Sequence, residues 1–164
     1  MSRLDSFIRR LEAQRACLDR AVELIADLPG PVLELGLGNG RTYDHLRQRL
    51  PGRDIFVFDH QIAAHPDCIP AKRYQLIGDF RDTLPIALAA IGRPAALIHA
   101  DLGTGEPAAS MALARAIMPM LIGLLAPDGI IAGDQPMPDQ RLDPLPLPSE
   151  IAAGRYYLYR AVGG

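Results

Sequence analysis

The amino-acid sequence predicts an α/β fold, a doubly wound and mostly parallel sheet with an antiparallel C-terminal edge strand and an added N-terminal helix. Strand and helix patterns alternate along the chain, which favours right-handed βαβ units with helices on both faces of a parallel sheet. A glycine-rich turn follows the first apolar strand and opens a helix, as at a ligand-binding switch point of such sheets. The proline-rich segment is too short for a separate domain, so residues 1–164 are predicted to form a single domain.

Composition and charge exclude several classes of protein. The chain is 49% hydrophobic and 22% charged, which is the balance of a globular chain rather than a disordered one. A formal net charge of −2 argues against nucleic acid as a partner. The chain has no run of roughly 18 apolar residues to predict a membrane span, and its charged N-terminus does not resemble a signal peptide. Cys17 and Cys68 fit no metal-ligand spacing, so we expect reduced thiols in a cytoplasmic protein.

The N-terminal segment, residues 1–30, contains one predicted amphipathic helix over residues 3–27. Leu4, Leu11, Leu18 and Ile25 recur every seven residues, and polar side chains fill the other faces. Such a helix could pack on its own sheet, form the face of a homodimer, or lie as a lid over a site. The sequence leaves these three alternatives open.

The remaining elements follow from apolar runs and from the prolines and glycines that bound them. Strands are predicted at 31–35, 55–59, 74–77, 95–99 and 129–132, and a final antiparallel edge strand at 155–162. Helices are predicted at 42–50, 106–125 and 84–91, the last with Pro85 in its first turn. Two prolines argue against a full helix at 60–72, and five prolines predict a loop or extended arm within 135–150.

The glycine turn comprises Gly36, Leu37, Gly38, Asn39 and Gly40, and a helix is predicted to begin behind it at Thr42. Glycine permits positive φ and lets a ligand approach the main chain, while the helix N-terminus offers free N–H groups. A dinucleotide-binding turn would place its third glycine where Arg41 stands. Glu34, two residues before the turn, suits an ammonium group better than a pyrophosphate. The segment therefore favours an amino acid attached to a nucleoside over a nicotinamide dinucleotide.

Further candidate ligand contacts follow the second and third strands. Asp59 ends the second strand, where its carboxylate would lie beside the glycine turn and accept hydrogen bonds from ribose hydroxyls. His60 would border the ribose or the adenine. Gly78, Asp79 and Phe80 end the third strand, where Asp79 could accept a hydrogen bond from the adenine amine and Phe80 could stack on the ring.

Taken together, these motifs resemble the class I S-adenosylmethionine-dependent methyltransferases. The resemblance rests on ELGLGNG at residues 34–40, on Asp59 and on residues 78–80, and it spans residues 31–134. It implies a Rossmann-like methyltransferase fold for the single domain and S-adenosylmethionine as cofactor. The cofactor-binding residues expected on this basis are Glu34, Gly36, Leu37, Gly38, Asn39, Gly40, Thr42, Asp59, His60, Gly78, Asp79, Phe80 and His99.

Three segments resemble macrocin-type O-methyltransferases: GDFRDTLP after the third strand (residues 78–85), IHAD at the end of the fourth (residues 98–101) and APDG…DQ around the fifth (residues 126–135). That resemblance implies catalytic roles for Asp101 and Asp134, and a Mg²⁺ site at Asp101, Asp134 and Gln135. Gly103 and Gly105 depart from the family pattern, and Gln135 replaces an acid. The alternative is that the two aspartates cap helices or contact the cofactor, and His99 could equally be a hydrogen-bonded core histidine.

Transfer of a methyl group from S-adenosylmethionine to a small molecule, at a hydroxyl oxygen, is therefore the predicted function. A non-catalytic S-adenosylmethionine-binding sensor or accessory subunit is the alternative. We expect no nucleic-acid or membrane partner, and the heptad spacing of the first helix is compatible with a homodimer. Residues 1–30 and 135–150 are expected to wall the substrate site.

Overall fold

A computed structural model describes residues 1–163 of the chain. Its four α-helices are α1 (Arg3–Leu24), α2 (Arg41–Arg49), α3 (Phe80–Ile91) and α4 (Pro107–Leu124). Its strands are β1 (Val32–Leu35), β2 (Ile55–Asp59), β3 (Gln75–Ile77), β4 (Ala95–Ala100), β5 (Leu125–Gly133), β6 (Leu142–Pro144) and β7 (Tyr157–Ala161). A short 3₁₀ helix, Pro66–Cys68, lies within residues 60–72, where no full helix is expected, and a second, Lys72–Tyr74, follows at the end of that segment.

The described strands form one sheet in the order β3-β2-β1-β4-β5-β7-β6. Strands β1 to β5 pair in parallel, whereas β7 is antiparallel to both β5 and β6. Because β1 lies between β2 and β4, the strand order reverses at β1, and a crevice opens at the carboxyl ends there. The predicted mostly parallel α/β sheet with antiparallel C-terminal pairing is thus confirmed.

Helices pack on both faces of the sheet, because the parallel strands present apolar side chains on each side. Helices α3 and α4 pack on one face, where Leu84, Ile117 and Leu121 meet β-strand side chains. Helices α1 and α2 pack on the other face through Leu18, Leu46 and their neighbours. The sheet is therefore covered on both sides, and polar groups concentrate at its carboxyl edge.

Helix α1 has two halves with different surroundings. Ser2 and Asp5 cap its start, since each side chain accepts a hydrogen bond from the other residue's main-chain N–H, at 3.0 and 2.8 Å. Its buried side chains lie in the second half, between Ala13 and Ala21, whereas Phe7 in the first half is 46% exposed. The second half packs on the sheet, and the first half extends over the crevice.

The structure corrects several predicted boundaries. Helix α3 begins at Phe80, four residues before its predicted start, because Asp79 accepts a hydrogen bond from the Arg81 N–H and caps the helix. Pro85 therefore lies inside α3 rather than in its first turn. The proline-rich loop contains β6, which pairs with β7. Strand β7 is consequently not at the sheet edge as predicted, and β6 takes that place.

Among the described residues, α4 is one helix that is long and apolar enough to cross a membrane by length and composition. In the fold it is a layer helix, with Ser110, Ala114, Ile117, Leu121 and Leu124 buried. Packing against the sheet and α3 buries this one face of α4, and 28% of the helix is buried. The expectation that the protein has no membrane partner stays a prediction.

Candidate active site

Three glycines with positive φ shape the turn between β1 and α2. Gly36 has a φ of 85°, and a Cβ there would lie 2.5 Å from the Asp101 carbonyl oxygen. Gly40 also has a φ of 85°, and its Cβ would lie 2.5 Å from the Cys68 Cβ. Gly38 has a φ of 52°, yet nothing lies within 4 Å of its Cβ position. The fold itself requires Gly36 and Gly40, whereas Gly38 presents bare main chain to open space.

The other turn residues also direct main chain toward the crevice. Leu37 is buried, so its side chain belongs to the core. The Asn39 side chain accepts a hydrogen bond of 3.3 Å from the Arg41 N–H and so stabilises the start of α2. The Thr42 hydroxyl donates to the Glu34 carboxylate below the turn. A ligand at this turn would therefore meet peptide groups and the N-terminus of α2.

Asp59 lies beside the turn, as its position at the end of β2 predicts. Its Oδ2 accepts a hydrogen bond of 3.2 Å from the Gly38 N–H, and its Oδ1 accepts one of 2.7 Å from the His60 N–H. The main-chain N–H of Gly78 donates to the Asp59 carbonyl oxygen, which holds the ends of β2 and β3 together. The carboxylate is thus fixed at the switch point, where ribose hydroxyls could bond to it.

Two aromatic rings border the same edge of the crevice. The ring centroids of His60 and Phe80 are 6.3 Å apart, with His60 exposed and Phe80 almost buried. Asp79 lies next to them, but one of its oxygens caps α3 by accepting from the Arg81 N–H at 2.8 Å. His60 and Phe80 are therefore placed to border a flat ring, and the Asp79 side chain is already engaged in a structural role.

The first half of α1 covers the glycine turn. A cleft of about 200 Å³ separates them, with Phe7, Arg10, Leu11 and Gln14 on the α1 side and the turn and Asp101 opposite. Arg10 donates to Asp101 Oδ1 at 3.1 Å, and Gln14 donates to Asp101 Oδ2 at 3.1 Å. Of the alternatives for this helix, the structure therefore shows both packing on the sheet and covering of a cleft.

Arg10 and Gln14 were not predicted as site residues, although Gln14 carried a detectable sign. It stands three residues after Leu11 and four before Leu18, on the apolar stripe of the helix, and it is buried. A polar side chain at such a position needs a buried polar partner. Nothing in the sequence identified that partner as Asp101, because the two residues lie 87 positions apart.

A buried polar cluster of Glu34, His99 and Tyr156 lies beneath the turn. Glu34 and His99 are register partners on β1 and β4, and their side chains have 0% exposure. His99 Nδ1 bonds to Glu34 Oε2 at 2.6 Å, and His99 Nε2 bonds to the Tyr156 hydroxyl. The other Glu34 oxygen accepts from Thr42.

This cluster engages the side chains of Glu34 and His99, both expected to contact the cofactor. Their strand positions face the layer formed by α1 and α2, so both side chains point into the interior rather than toward the crevice. His99 thus has the surroundings of a hydrogen-bonded core histidine, and cofactor contacts of Glu34 and His99 stay predictions. Glu34 instead supports the turn from below through Thr42.

Charge within the cluster is balanced. Burial disfavours the charged form of His99, but the adjacent Glu34 carboxylate, with the charges of Asp101 and Asp134, outweighs burial, so the pKa of His99 is raised. Burial raises the pKa of Tyr156 well above its ordinary value, so the phenol stays neutral. Among the described residues, every buried side-chain nitrogen and oxygen has a hydrogen-bond partner. The cluster is thus a satisfied ion pair extended by a phenol.

Asp134 follows β5 and approaches Asp101. Its Oδ1 accepts a hydrogen bond of 2.9 Å from the Leu102 N–H. Burial raises the pKa of Asp134, and the charge of Asp101 adds to the increase. A Cβ on Gly103 would lie 2.9 Å from Asp134 Oδ2 and 3.8 Å from Asp101 Oδ1. Glycine at position 103 therefore leaves room for the two carboxylates to converge.

The residues expected to bind Mg²⁺ do not fit that role. No group of three or more His, Cys, Asp or Glu side chains within residues 1–163 is placed to hold a metal ion. Arg10 and Gln14 donate to Asp101, and the Gln135 amide donates to Asp134 at 3.3 Å. The Arg10 guanidinium therefore supplies, beside Asp101 and Asp134, the positive charge that a metal ion would supply. The predicted magnesium site at Asp101, Asp134 and Gln135 is therefore not supported.

The crevice at the switch point, with bare main chain, a carboxylate and two rings along it, defines a Rossmann-like enzyme that binds a nucleoside carrying an amino acid. Comparison with known proteins agrees. A family model described as S-adenosyl-L-methionine methyltransferase matches residues 1–161. The crystal structure of an S-adenosyl-L-methionine methyl transferase from Silicibacter pomeroyi DSS-3 has 46% sequence identity and a TM-score of 0.93, covering 98% of this chain and 99% of its own. The chain therefore belongs to the S-adenosyl-L-methionine methyltransferase family.

More distant structures share the fold alone. A sugar N-methyltransferase from Streptoalloteichus has 21% identity and a TM-score of 0.54, covering 88% of this chain and 61% of its own. An O-methyltransferase family protein from Burkholderia thailandensis has 14% identity and a TM-score of 0.51, with 90% and 55% covered. No curated protein is detectably similar to this chain. The protein is an S-adenosylmethionine-dependent methyltransferase, so the non-catalytic and nicotinamide-binding alternatives are set aside.

Proposed function

We propose that this methyltransferase acts on a hydroxyl oxygen of a small molecule and that Asp134 accepts the hydroxyl proton. The observation that carries the proposal is the position of Asp134 at the carboxyl end of β5, beside a second cleft that Arg3, Arg10 and Arg155 also line, with its pKa raised by burial. A carboxylate whose pKa lies closer to neutrality is a more effective proton acceptor than an exposed aspartate. Leu102 fixes the other oxygen of Asp134 and so orients the carboxylate.

The placement of the cofactor follows from the crevice. Its amino-acid part would lie in the cleft between Gly38 and α1, and its ribose hydroxyls would bond to Asp59. The adenine would be bordered by His60 and Phe80. Asp101, with its side chain 25% exposed, replaces the buried Glu34 as the acid facing the cofactor's ammonium group.

The chemistry divides between the cofactor and the chain. When bound, S-adenosylmethionine supplies a methyl carbon on a sulfonium, and the acceptor oxygen displaces the thioether in line. The chain aligns the acceptor hydroxyl and takes its proton on Asp134 Oδ2 as the new carbon–oxygen bond forms. Phe7 and Leu11 of α1 exclude water from the cleft beside the turn.

An isotope-transfer experiment tests the proposal. The wild type, Asp134→Asn and the matched control Asp143→Asn, which removes an exposed charge on β6, are incubated with ¹³C-methyl S-adenosylmethionine and a deproteinised cell extract. We expect an O-methyl product from the wild type and the control, and a rate reduced about 10²-fold or more in Asp134→Asn. An N-methyl product, or an unchanged rate in Asp134→Asn, would contradict the proposal.

Three other expectations from the sequence also stay predictions. They are a cytoplasmic location, the absence of a nucleic-acid partner, and assembly into a homodimer through α1. A sedimentation measurement on the purified protein tests the last of these, because a monomer at micromolar concentration would contradict it.

A further inference from the structure

A second cleft, of about 440 Å³, opens beside Asp134 and adjoins the cleft at the glycine turn through Phe7 and Arg10. We call it the arginine cleft. The first turns of α1, the residues after β5 and the turn before β7 form its walls. The side chains that matter here are Arg3, Ser6, Arg10, Asp134, Gln135 and Arg155.

Positive charge dominates the arginine cleft. Three guanidiniums face one carboxylate, Asp134, and a guanidinium stays charged at every physiological pH. Arg10 is paired with Asp101 at 3.1 Å. Neither Arg3 nor Arg155 forms an ion pair with any residue between 1 and 163. Two guanidiniums, one from α1 and one from the turn before β7, are therefore available to an anion.

We propose that the methyl acceptor carries an anionic group, a carboxylate or a phosphate, which Arg3 and Arg155 bind while its hydroxyl faces Asp134. The inference rests on the proposed function, since it assumes that the acceptor occupies the space next to Asp134. Guanidinium groups bind carboxylate and phosphate oxygens through paired, charge-assisted hydrogen bonds. An anion held between Arg3 and Arg155 would orient the acceptor hydroxyl toward Asp134.

The cleft favours a free small acid over a nucleic-acid strand. Its volume of about 440 Å³ is that of a small-molecule pocket. A strand would need a basic track continuing beyond the cleft, and the chain has a net charge of −2. Binding of a nucleic acid is therefore an outcome that would overturn the proposal.

Titration of the wild-type protein with small anions tests the inference directly. The protein is saturated with S-adenosylhomocysteine, and the arginine Nε–H resonances are followed by NMR during addition of benzoate, inorganic phosphate or sodium chloride. We expect saturable shifts of Arg3 and Arg155 with benzoate or phosphate and none with chloride. The anion that binds more tightly distinguishes a carboxylate acceptor from a phosphate acceptor. Equal, non-saturating shifts of all arginines with every salt would overturn the proposal.

A variant then connects the anion to the wall that carries Arg155. Arg155→Gln is compared with Arg115→Gln, which removes the same charge from the exposed side of α4. We expect Arg155→Gln to weaken binding of the preferred anion about tenfold, and Arg115→Gln to leave it unchanged. Equal weakening by both variants, or tighter binding of a short oligonucleotide than of either small anion, would refute the inference.

Failure of the inference is distinguishable from failure of the proposed function. An O-methylated product that is not retained on an anion exchanger would refute an anionic acceptor while leaving hydroxyl methylation intact. Saturable anion binding at Arg3 and Arg155 combined with an N-methyl product would contradict the proposed reaction and leave the anion site standing.

Discussion

Replacing His99 with leucine should destabilise the fold strongly, because it strands a buried carboxylate. His99 and Glu34 both have 0% side-chain exposure and are joined at 2.6 Å. Breaking a buried ion pair by removing one partner costs roughly 3–5 kcal/mol. For a chain of this size, that loss corresponds to a decrease of roughly 6–20 °C in melting temperature. Because the chain has no tryptophan, urea and thermal unfolding should be followed by circular dichroism.

The double variant Glu34→Gln/His99→Leu provides the control. It removes both charges, so we expect it to recover part of the stability lost in His99→Leu. A loss below about 1 kcal/mol in His99→Leu, or additive losses in the double variant, would refute the buried ion pair.

The pH dependence of stability gives a second readout of the same pair. Because the folded pKa of His99 is raised, the imidazolium contributes fully below the unfolded pKa of about 6.5. That contribution is lost as the pH rises through the higher folded pKa. We expect the unfolding free energy of the wild type to decrease across that interval, and that of His99→Leu to lack this component.

Three further predictions concern single contacts. Asp59→Asn should weaken S-adenosylhomocysteine binding about tenfold or more in calorimetry, since ribose hydroxyls lose an anionic acceptor, and equal affinity would contradict that role. Asp134→Asn should abolish most methyl transfer without lowering the melting temperature, because the raised pKa shows that burial disfavours the charged form; a large loss of stability would contradict this. Arg53→Met should lower the free energy of unfolding by roughly 2 kcal/mol, since the Arg53 guanidinium donates to three carbonyl oxygens after α1, at 2.8, 2.8 and 3.2 Å. A urea midpoint equal to that of the wild type would exclude that contribution.

Local sequence patterns predicted the parallel part of the fold well. Continuous apolar strands, helix-ending prolines and the glycine turn each act over a few residues, so β1, β2 and α2 lie within one residue of their predicted bounds. Boundaries set by tertiary contacts were less predictable. The end of α1 depends on Arg53, far along the chain, and β6 forms only because β7 pairs with it.

The site divides in the same way. Gly38 and Asp59 could be placed from strand order alone, because carboxyl ends of parallel strands meet at one edge. The orientation of Glu34 could not, because nothing in the local sequence shows that His99 and Thr42 would engage both of its oxygens. The expected magnesium site was not supported because the competing cation, Arg10, comes from a helix 91 residues earlier than Asp101.

Binding of S-adenosylhomocysteine to a variant of the glycine turn tests the central claim most directly. Gly38→Ala is compared with Gly52→Ala, because both positions have positive φ, at 52° and 83°, and nothing within 4 Å of the added Cβ. Both substitutions therefore place an alanine at positive φ without a steric clash, and only Gly38 faces the crevice. We expect calorimetry to show binding by the wild type and by Gly52→Ala, and affinity reduced about tenfold or more in Gly38→Ala. No binding by the wild type, or equal affinity in both variants, would contradict the assignment of this crevice as the cofactor site.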